Sequence, residues 1–464
     1  MSKNNINLDL KTFLELAQNL LKQEEKDPPL KHTEPQDIYK TIDITLNDNS
    51  LDSFEFKKTL EKLIKATPKT SSKLFFNQLF GGRHSKAVLG ELLAVLLNNS
   101  MATYKISEPQ AVIEKEIINK IGGLIGYDKN NLGGTFPTGG SMSNFMSLIM
   151  ARDKYDLEAK NNGIKKNLVI YTCENGHYSV EKNASFSGIG RKNIRRIKSN
   201  HFGEMDINDL KDNIERDIAL NNIPAYVNAT AGTTVLGAFD DVEKIAALCN
   251  KHNIWLHIDG SYCGSVIFSK KYNYLVKGVR FSDSFCFNPH KTLGTPLSCS
   301  ILVVKNKKYL YNSFSQEANY LYQTQTDSYN LGKTSFECGR RNNALKFWTL
   351  WKAIGTQGIS EMIEHEFMLA DKAKSYIKNN SNYQIYNSKP SLSVCFNYKN
   401  FDPKDLCKKL YQNNKIMIGY GSFKENEFIR LVTVNFSNKK EDILQMFKIL
   451  EDFAEKKSHR IQKI

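Results

Sequence analysis

The segment Ile254-Trp255-Leu256-His257-Ile258-Asp259 is a strand-like run that ends in a carboxylate, and it decides the fold together with the run Ser284 to Asn288 that follows it. Helical stretches such as Asp206 to Leu220 and Val242 to Cys249 separate these runs from others. The other β-rich runs cover residues 167–173, 225–231 and 299–304. Because short strands alternate with helices, we predict a mostly parallel sheet with helices on both faces. Ligands of such sheets bind beyond the carboxyl ends of the strands.

Two reactive side chains stand at those ends. Asp259 closes the first run, and Lys291 closes the pentapeptide Phe287-Asn288-Pro289-His290-Lys291 after the second. Pyridoxal 5'-phosphate (PLP) requires both groups, because a lysine amine binds its aldehyde and a carboxylate keeps its ring nitrogen protonated. The pair therefore predicts a PLP site.

Further segments supply the remaining parts of such a site. Gly139-Gly140-Ser141-Met142-Ser143-Asn144 opens an amphipathic helix, where free amides and the helix dipole favour a phosphate, although such a turn is usually only a helix start. His177 follows the run 167–173 and could stack on the cofactor ring or be an ordinary loop residue. The run 228–234 offers hydroxyls to a ring substituent or is a plain turn. Asn288 and His290 could bind the phosphate, or His290 could only pack.

Composition limits the class of protein. A chain of 464 residues is too long for one compact core, so we expect two or three structural units. Its 41% hydrophobic and 24% charged residues are typical of a soluble globular protein. The formal charge is +15, but the basic residues are scattered and no nucleic-acid-binding motif accompanies them, so we expect no nucleic-acid partner. A lysine-rich surface also favours anionic substrates.

The terminus and the cysteines indicate a cytoplasmic protein. Met1 to Asn5 lacks an apolar signal core, and no stretch approaches the ~18 apolar residues of a membrane span, so we expect no membrane partner. The eight cysteines form no Cys-x-x-Cys pair and lie mostly in apolar stretches. They are therefore predicted to be buried thiols rather than disulfides or zinc ligands, and we expect no metal.

The chain is expected to divide into three units. These are a helical N-terminal arm over residues 1–70, a large PLP-binding α/β domain over 71–345, and a small α+β domain over 346–464. The arm is helical because apolar positions recur at helical spacing. The helical patterns at the front of the chain cover residues 7–24, 54–66 and 87–97. The small domain combines a long helical stretch from Asn343 with strand-like runs at 392–398 and 428–434 and a last helix at 440–456.

In their order along the chain, these landmarks resemble the group II PLP-dependent amino-acid decarboxylases, most closely the branch that acts on glutamate, cysteine sulfinate and aspartate. The resemblance runs from about Leu74 to Val434. It also rests on Phe75-Phe76-Asn77-Gln78-Leu79, on Ala225-Tyr226-Val227 leading into the run 228–234, and on Cys338-Gly339-Arg340-Arg341. It implies PLP fold type I, the aspartate aminotransferase-like α/β fold with a mostly parallel central sheet.

The resemblance implies a role for each matching position. His177 would stack on the ring, Thr234 would contact the ring hydroxyl, and Tyr320 would be a proton donor on a mobile loop supplied by the neighbouring subunit, which implies a homodimer. The implied catalytic residues are Lys291, Tyr320, His177 and Asp259. The implied cofactor-binding residues are Met142 (through its backbone), Ser143, His177, Thr234, Asp259, Ser261, Asn288, His290 and Lys291. Two features depart from the family: Ser261 replaces a small apolar residue, and the loop from Tyr320 to Cys338 is a few residues short.

Resemblance also supplies the substrate-binding candidates, which are Gln78, Ser100, Ala102, Phe136 and Arg430. Arg430 would take a substrate carboxylate and Gln78 a distal acid group, whereas Phe136 could equally be core. Ser100 is more like the cysteine sulfinate and aspartate enzymes, so we predict conversion of L-aspartate to β-alanine and CO2. The alternatives are L-glutamate to γ-aminobutyrate and cysteine sulfinate to hypotaurine, because one methylene changes pocket affinity by only ~1–3 kcal/mol.

Other functions use fewer of these residues. A transaminase or aldolase on the same scaffold keeps Lys291 and Asp259 but has no particular need for Tyr320. A non-enzymatic scaffold protein would be expected to have lost Lys291, Asp259 or His177, and all are present. Decarboxylation of a small acidic amino acid is therefore the predicted activity.

Overall fold

The structure, a computed structural model, describes residues 5–26, 28–46, 48–318, 320–322 and 327–461. Its helices are α1 (Ile6–Lys26), α2 (Pro35–Thr41), α3 (Ser53–Ala66), α4 (Ser85–Leu97), α5 (Tyr104–Ser107), α6 (Pro109–Ile125), α7 (Gly140–Tyr155), α8 (Ala159–Asn162), α9 (Ser179–Phe186), α10 (Ile207–Ala219), α11 (Val242–Lys251), α12 (Pro289–Thr292), α13 (Lys308–Phe314), α14 (Ala344–Lys378), α15 (Pro403–Gln412) and α16 (Lys440–Ile461). Its strands are β1 (Phe75–Phe76), β2 (Gly133–Thr135), β3 (Leu168–Cys173), β4 (Ile194–Ile197), β5 (Ile223–Thr230), β6 (Trp255–Gly260), β7 (Ser284–Phe287), β8 (Ile301–Val304), β9 (Tyr383–Ile385), β10 (Ser393–Tyr398), β11 (Met417–Phe423) and β12 (Asn426–Val432). Short 3-10 turns cover Arg191–Asn193, Gly264–Phe268, Asn273–Val276, Val279–Phe281, Asp327–Tyr329 and Leu331–Thr334.

A seven-stranded sheet forms the centre of the large domain. Its strand order is β2-β8-β7-β6-β5-β3-β4. β8 runs antiparallel to both of its neighbours, and the pairs from β7 to β4 are parallel. β3, β6, β7 and β8 are buried along their whole length, as expected of strands covered on both faces. The predicted mostly parallel sheet is confirmed.

The register of this sheet brings functional residues to one edge. Thr230, the last residue of β5, pairs with Asp259 on β6, and Asp259 pairs in turn with Cys286 on β7. Lys291 follows β7 within the short helix α12. The carboxyl ends of three neighbouring parallel strands therefore meet where the sequence predicts the site.

A second, five-stranded sheet has the order β1-β11-β12-β10-β9. β1 enters it from the front of the chain, since Phe75 and Phe76 pair in parallel with Met417 and Ile418 of β11. This differs from the predicted domain boundaries, which assign residues 71–345 to the large domain. The strand is only two residues long, so it carries no periodicity that could reveal its partner.

Helix α14 joins the two domains. Its residues up to Phe367 pack in the core of the large domain, and residues from Leu369 onward pack in the core of the small one. The predicted boundary between residues 345 and 346 therefore falls inside this helix. The helix bends at Gly355, whose φ of 70° lies in the left-handed region that glycine tolerates.

The front of the chain is helical, as the sequence indicates. Within the arm, Lys57 of α3 pairs with Glu15 of α1. Arg83 ties the arm to the large domain, because it donates to both carboxylate oxygens of Glu24 at 2.7 and 2.6 Å. Much of α1 is exposed, including Phe13 and several leucines. Within the described residues, no helix combines the length and the apolar character needed to cross a membrane.

Candidate active site

A cavity of about 190 Å³ lies at the carboxyl ends of β5, β6 and β7. Its lining residues are Gly140, Ser141, His177, Tyr178, Thr230, Gly232, Thr234, Asp259, Ser261, Tyr262, Asn288, His290 and Lys291. A larger cavity of about 520 Å³ lies between the loop after β5 and the segment 386–391, but neither Lys291 nor Asp259 lines it. The smaller cavity is therefore the one lined by Lys291 and Asp259, the residues that the sequence predicts for a PLP site.

Lys291 is the nucleophile candidate of this cavity. It stands in the first turn after β7, where α12 begins at Pro289. Burial lowers the pKa of Lys291 from its ordinary value, although the negative charge of Asp259 partly opposes the shift. A lower pKa leaves more of the amine neutral at neutral pH, which is the form that attacks an aldehyde.

Asp259 is held as an ionised acceptor. Its Oδ1 accepts a hydrogen bond from the backbone amide of Ser261 at 3.0 Å, and its Oδ2 accepts one from Asn144 Nδ2 at 2.7 Å. Burial alone would raise the pKa of this carboxyl. Hydrogen bonds from Ser261 and Asn144 outweigh burial and hold the pKa below its ordinary value.

His177 lines the cavity beside Tyr178, with 4.4 Å between the ring centroids. Its Nδ1 accepts from the backbone amide of Ser179 at 3.2 Å and lies 2.8 Å from Ser179 Oγ. Burial lowers the pKa of His177, so a neutral imidazole with its hydrogen on Nε2 fits these contacts. Such a ring can pack on an aromatic cofactor.

The start of α7 lines one end of the cavity through Gly140 and Ser141. The hydroxyl of Ser300 donates to Asn288 Oδ1 at 2.6 Å, so the Asn288 amide nitrogen is left for the cavity. A Cβ at Gly140 would lie 2.2 Å from Ser261 Oγ and 3.1 Å from Asn288 Nδ2. Only a glycine at position 140 leaves the space beside Ser261 and Asn288 open. The backbone amides in the first turn of a helix can donate hydrogen bonds to an anion placed in such a space.

Two predicted phosphate ligands lie differently from expectation. The backbone amide of Met142 donates to the carbonyl of Gly139 at 3.0 Å, and Met142 does not line the cavity. Ser143 is fully buried, with its Oγ 2.9 Å from Ser300 Oγ, and it too is absent from the lining. Ser141, two positions before Ser143, lines the cavity instead. The Ser-x-Ser spacing marks the turn but does not indicate which serine faces the ligand.

His290 also lines the cavity, and its contacts limit its protonation. Its Nδ1 lies 2.7 Å from the carbonyl oxygen of Cys299. Burial lowers the pKa of His290 to about 4, so the ring is neutral at physiological pH. The backbone amide of Cys299 also donates to Nδ1 at 3.0 Å. In the tautomer that accepts this bond, Nε2 carries the hydrogen and can donate to a phosphate, whereas in the tautomer that donates from Nδ1 to the carbonyl, Nε2 is an acceptor.

The donor set fits PLP. Thr230 is buried and lines the cavity, and within the described part of the chain its Oγ1 has no hydrogen-bond partner. An unpaired buried hydroxyl is costly, so a ligand atom at this point would satisfy it. A nucleophilic lysine, an ionised aspartate, a flat imidazole and a helix start with a glycine cradle are the groups needed for aldehyde, ring nitrogen, ring face and phosphate.

The predicted substrate residues are more scattered. Arg430 donates from its two terminal nitrogens to the carbonyls of Thr234, at 2.9 Å, and Asn77, at 2.8 Å. Phe136 is fully buried in the core of the large domain, which is the alternative that the sequence left open.

The remaining substrate candidates lie outside the cavity lining. Gln78 is exposed, Ser100 forms an isolated β-bridge with Arg341, and the carbonyl of the buried Ala102 accepts from the amide of Gly332 at 2.8 Å. None of the three lines the cavity.

Tyr320 lies away from the cavity lining and is 82% exposed. The loop from Tyr320 to Cys338 is the one that the family resemblance predicts to be a few residues short. Residues 323–326 of this loop lie outside the described residues. Tyr320 is therefore not among the residues that line the cavity with Lys291 in this structure.

The fold and the cavity together define a PLP enzyme of fold type I. The chain matches the family model described as "pyridoxal-dependent decarboxylase conserved domain" over residues 35–399, and it belongs to that family. It is therefore a PLP-dependent amino-acid decarboxylase, and the predicted cofactor, enzyme class and family resemblance are confirmed.

Similar proteins support this assignment. The acidic amino acid decarboxylase GADL1 of Xenopus tropicalis is 32% identical over 434 residues, which cover 88% of this chain and 84% of that protein. The cysteine sulfinic acid decarboxylase of Homo sapiens is 34% identical over 370 residues, covering 78% and 74% of the two chains. The crystal structure of mouse CSAD superposes with a TM-score of 0.89 at 28% identity, covering 96% of this chain and 98% of that one.

Proposed function

We propose that the protein removes the α-carboxylate of an acidic L-amino acid, with L-aspartate as substrate and β-alanine and CO2 as products. The observation that carries the acidic class is the agreement of the relatives, since the GADL1 and cysteine sulfinic acid decarboxylase proteins are both named for acidic amino acids. Ser100 favours aspartate over glutamate through its resemblance to the aspartate and cysteine sulfinate enzymes.

Different residues of the cavity would bind different parts of the cofactor. Lys291 Nζ would hold the cofactor aldehyde, Asp259 its ring nitrogen, His177 its ring face, and Ser141, Asn288 and the start of α7 its phosphate. When bound, PLP supplies a ring that accepts the electron pair left after CO2 departs. The ionised Asp259 keeps the proton on the ring nitrogen, since hydrogen bonds hold the pKa of its carboxyl low.

Substrate binding and protonation need two further residues. We propose that the guanidinium of Arg430 takes a substrate carboxylate, which requires it to exchange the carbonyls of Thr234 and Asn77 for the substrate. Tyr320 would donate the proton that the α-carbon requires after decarboxylation, through its hydroxyl.

The experiment that tests the substrate is a parallel assay. Purified protein with added PLP is incubated separately with L-aspartate, L-glutamate and cysteine sulfinate, and the amine products and released CO2 are measured. We expect the highest kcat/KM with aspartate. A marked preference for glutamate or cysteine sulfinate would overturn the choice of aspartate, and keto-acid formation without CO2 would overturn decarboxylation as the activity.

We further propose that the active form is a homodimer in which Tyr320 acts in the neighbouring subunit's site. Helix α4 exposes a row of large apolar side chains, namely Leu89, Leu92, Leu93, Val95, Leu96 and Leu97, each between 37% and 54% exposed. A contiguous apolar surface of this kind favours a protein partner. Tyr320 is exposed and does not line its own chain's cavity, so in this proposal it acts in the site of such a partner.

Complementation between two inactive chains tests the shared site. Lys291→Ala and Tyr320→Phe chains are co-expressed, so that a mixed dimer has one site with both native residues. Random pairing should restore about a quarter of wild-type activity, because half the dimers are mixed and each has one intact site of two. Activity no higher than that of the separate variants would place Tyr320 in its own subunit's site.

A further inference from the structure

Asn144 lies at the centre of a buried hydrogen-bond network beneath the cavity. It is 2% exposed, on the first turns of α7. Its Nδ2 donates to Asp259 Oδ2 at 2.7 Å and to Ser179 Oγ at 3.1 Å. Its Oδ1 lies 3.0 Å from His257 Nε2. One amide thus contacts the carboxylate below the cavity, the serine that holds His177, and a second histidine.

The direction of each hydrogen bond in this network is fixed. An ionised carboxylate only accepts, so the nitrogen of Asn144 must face Asp259 and its oxygen must face His257. His257 Nε2 must then carry a hydrogen, and its Nδ1 accepts from Ser284 Oγ at 2.8 Å. Burial lowers the pKa of His257 to about 4, so this ring is neutral and holds a single hydrogen.

The same direction continues towards His177. Because Ser179 Oγ accepts from Asn144, its own hydrogen is free to donate to His177 Nδ1, 2.8 Å away. The backbone amide of Ser179 also donates to that nitrogen. His177 Nδ1 is therefore an acceptor of two hydrogen bonds from Ser179, and Asn144 directs the second of them by donating to the Ser179 hydroxyl oxygen.

We infer that Asn144 is a positioning residue for both groups flanking the cofactor ring: it donates to Asp259 and, by donating to the Ser179 hydroxyl oxygen, directs that hydroxyl onto His177 Nδ1. This inference rests on the proposed roles of Asp259 and His177 towards PLP. It does not depend on which amino acid is decarboxylated.

Two substitutions separate this role from simple packing. Asn144→Asp keeps the size of the side chain but places a second carboxylate 2.7 Å from Asp259 Oδ2. Two carboxylates at that distance share one proton, which is lost as the pH rises. Asn144→Leu removes the hydrogen bonds altogether. Ser147→Ala is the control, because Ser147 is a buried polar residue on the same helix that bonds to Ser284 and Trp255 rather than to Asp259.

The readouts are the absorbance spectrum of protein-bound PLP between pH 6 and 9 and the PLP dissociation constant. We expect a new pH-dependent spectral step in Asn144→Asp that is absent from wild type and Ser147→Ala. We expect Asn144→Leu to weaken PLP binding by about tenfold to a hundredfold, the range for a hydrogen bond to a charged group. In both variants kcat should fall more than KM rises, because Asn144 acts on the cofactor's partners.

The outcomes are distinct. If Asn144→Asp binds PLP within about twofold of wild type and its spectrum shows no new step, the positioning role is wrong. If Asn144→Leu fails to fold, Asn144→Asp decides alone. Failure of the proposed acidic substrates would leave the spectrum and the PLP dissociation constant interpretable, because these two are measured on the bound cofactor without substrate.

Discussion

Glu366 gives the sharpest test of the energetics of this fold. It lies on α14 at the junction of the two domains and is fully buried. Within the described part of the chain, neither of its carboxylate oxygens has a hydrogen-bond partner. Burial raises the pKa of Glu366 well above its ordinary value of 4.5, so the folded protein holds this carboxyl protonated.

The sign and size of the effect follow from proton binding. Above pH 4.5 the unfolded chain releases the Glu366 proton while the folded chain keeps it. The unfolded state then binds fewer protons, so the free energy of unfolding falls by about 1.4 kcal/mol for each pH unit. The fall continues until the pH reaches the folded-state pKa.

Glu366→Gln removes this titration. Urea unfolding is measured at pH 5.5 and 6.5, at fixed protein and PLP concentrations, for wild type, Glu366→Gln and Glu361→Gln, a control at an exposed position on the same helix. Between the two pH values, wild type and the control should lose more stability than Glu366→Gln, by up to about 1.4 kcal/mol. The buried amide has its own cost, but that cost is independent of pH. Equal losses in all three proteins would refute a raised pKa at Glu366.

Three further outcomes are expected. Arg340→Met should lower the free energy of unfolding by about 3–5 kcal/mol, because it leaves the fully buried Glu114 without the two 2.8 Å hydrogen bonds from Arg340; adding Glu114→Leu should recover most of the loss in urea unfolding. Gly140→Ala should weaken PLP binding at least about tenfold by filling the cradle, whereas Gly139→Ala, with open space at its Cβ, should bind like wild type in a fluorescence titration. Tyr320→Phe should slow amine formation and raise the share of wrongly protonated or oxidised product; an unchanged rate and product ratio by chromatography would contradict its role as proton donor.

The parallel sheet was predictable because its strands are short apolar runs that end at polar residues. Asp259 and Lys291 follow two neighbouring strands, so their meeting at one edge follows from the pairing rules of parallel sheets. β1 was not predictable as a member of the small sheet. It is two residues long, and its partner Met417 lies far along the chain. Only tertiary packing decides such a pairing.

The sequence predicted which residue types form the cofactor site, but it did not predict which of them contact one another or line the cavity. The Gly-Gly-Ser segment marked a phosphate-binding helix start, yet the choice between Ser141 and Ser143 depends on which face of α7 meets the sheet. Asn144 was visible at the end of the same segment. Its importance was not, because it arises from bonds to Asp259 and His257, which are more than a hundred residues away.

The two ends of the active site differ in how much of the protein they need. The cofactor end is assembled within one chain, because its residues follow neighbouring strands of a single sheet. The residues predicted for the substrate end are placed differently: Gln78, Ser100 and Tyr320 all lie outside the cavity lining, and Tyr320 is exposed. If a second subunit completes that end, an isolated chain should still bind PLP while turning over little substrate. Cofactor binding and activity should then separate as the protein is diluted below the dimer dissociation constant, and parallel loss of both would place the whole site in one chain.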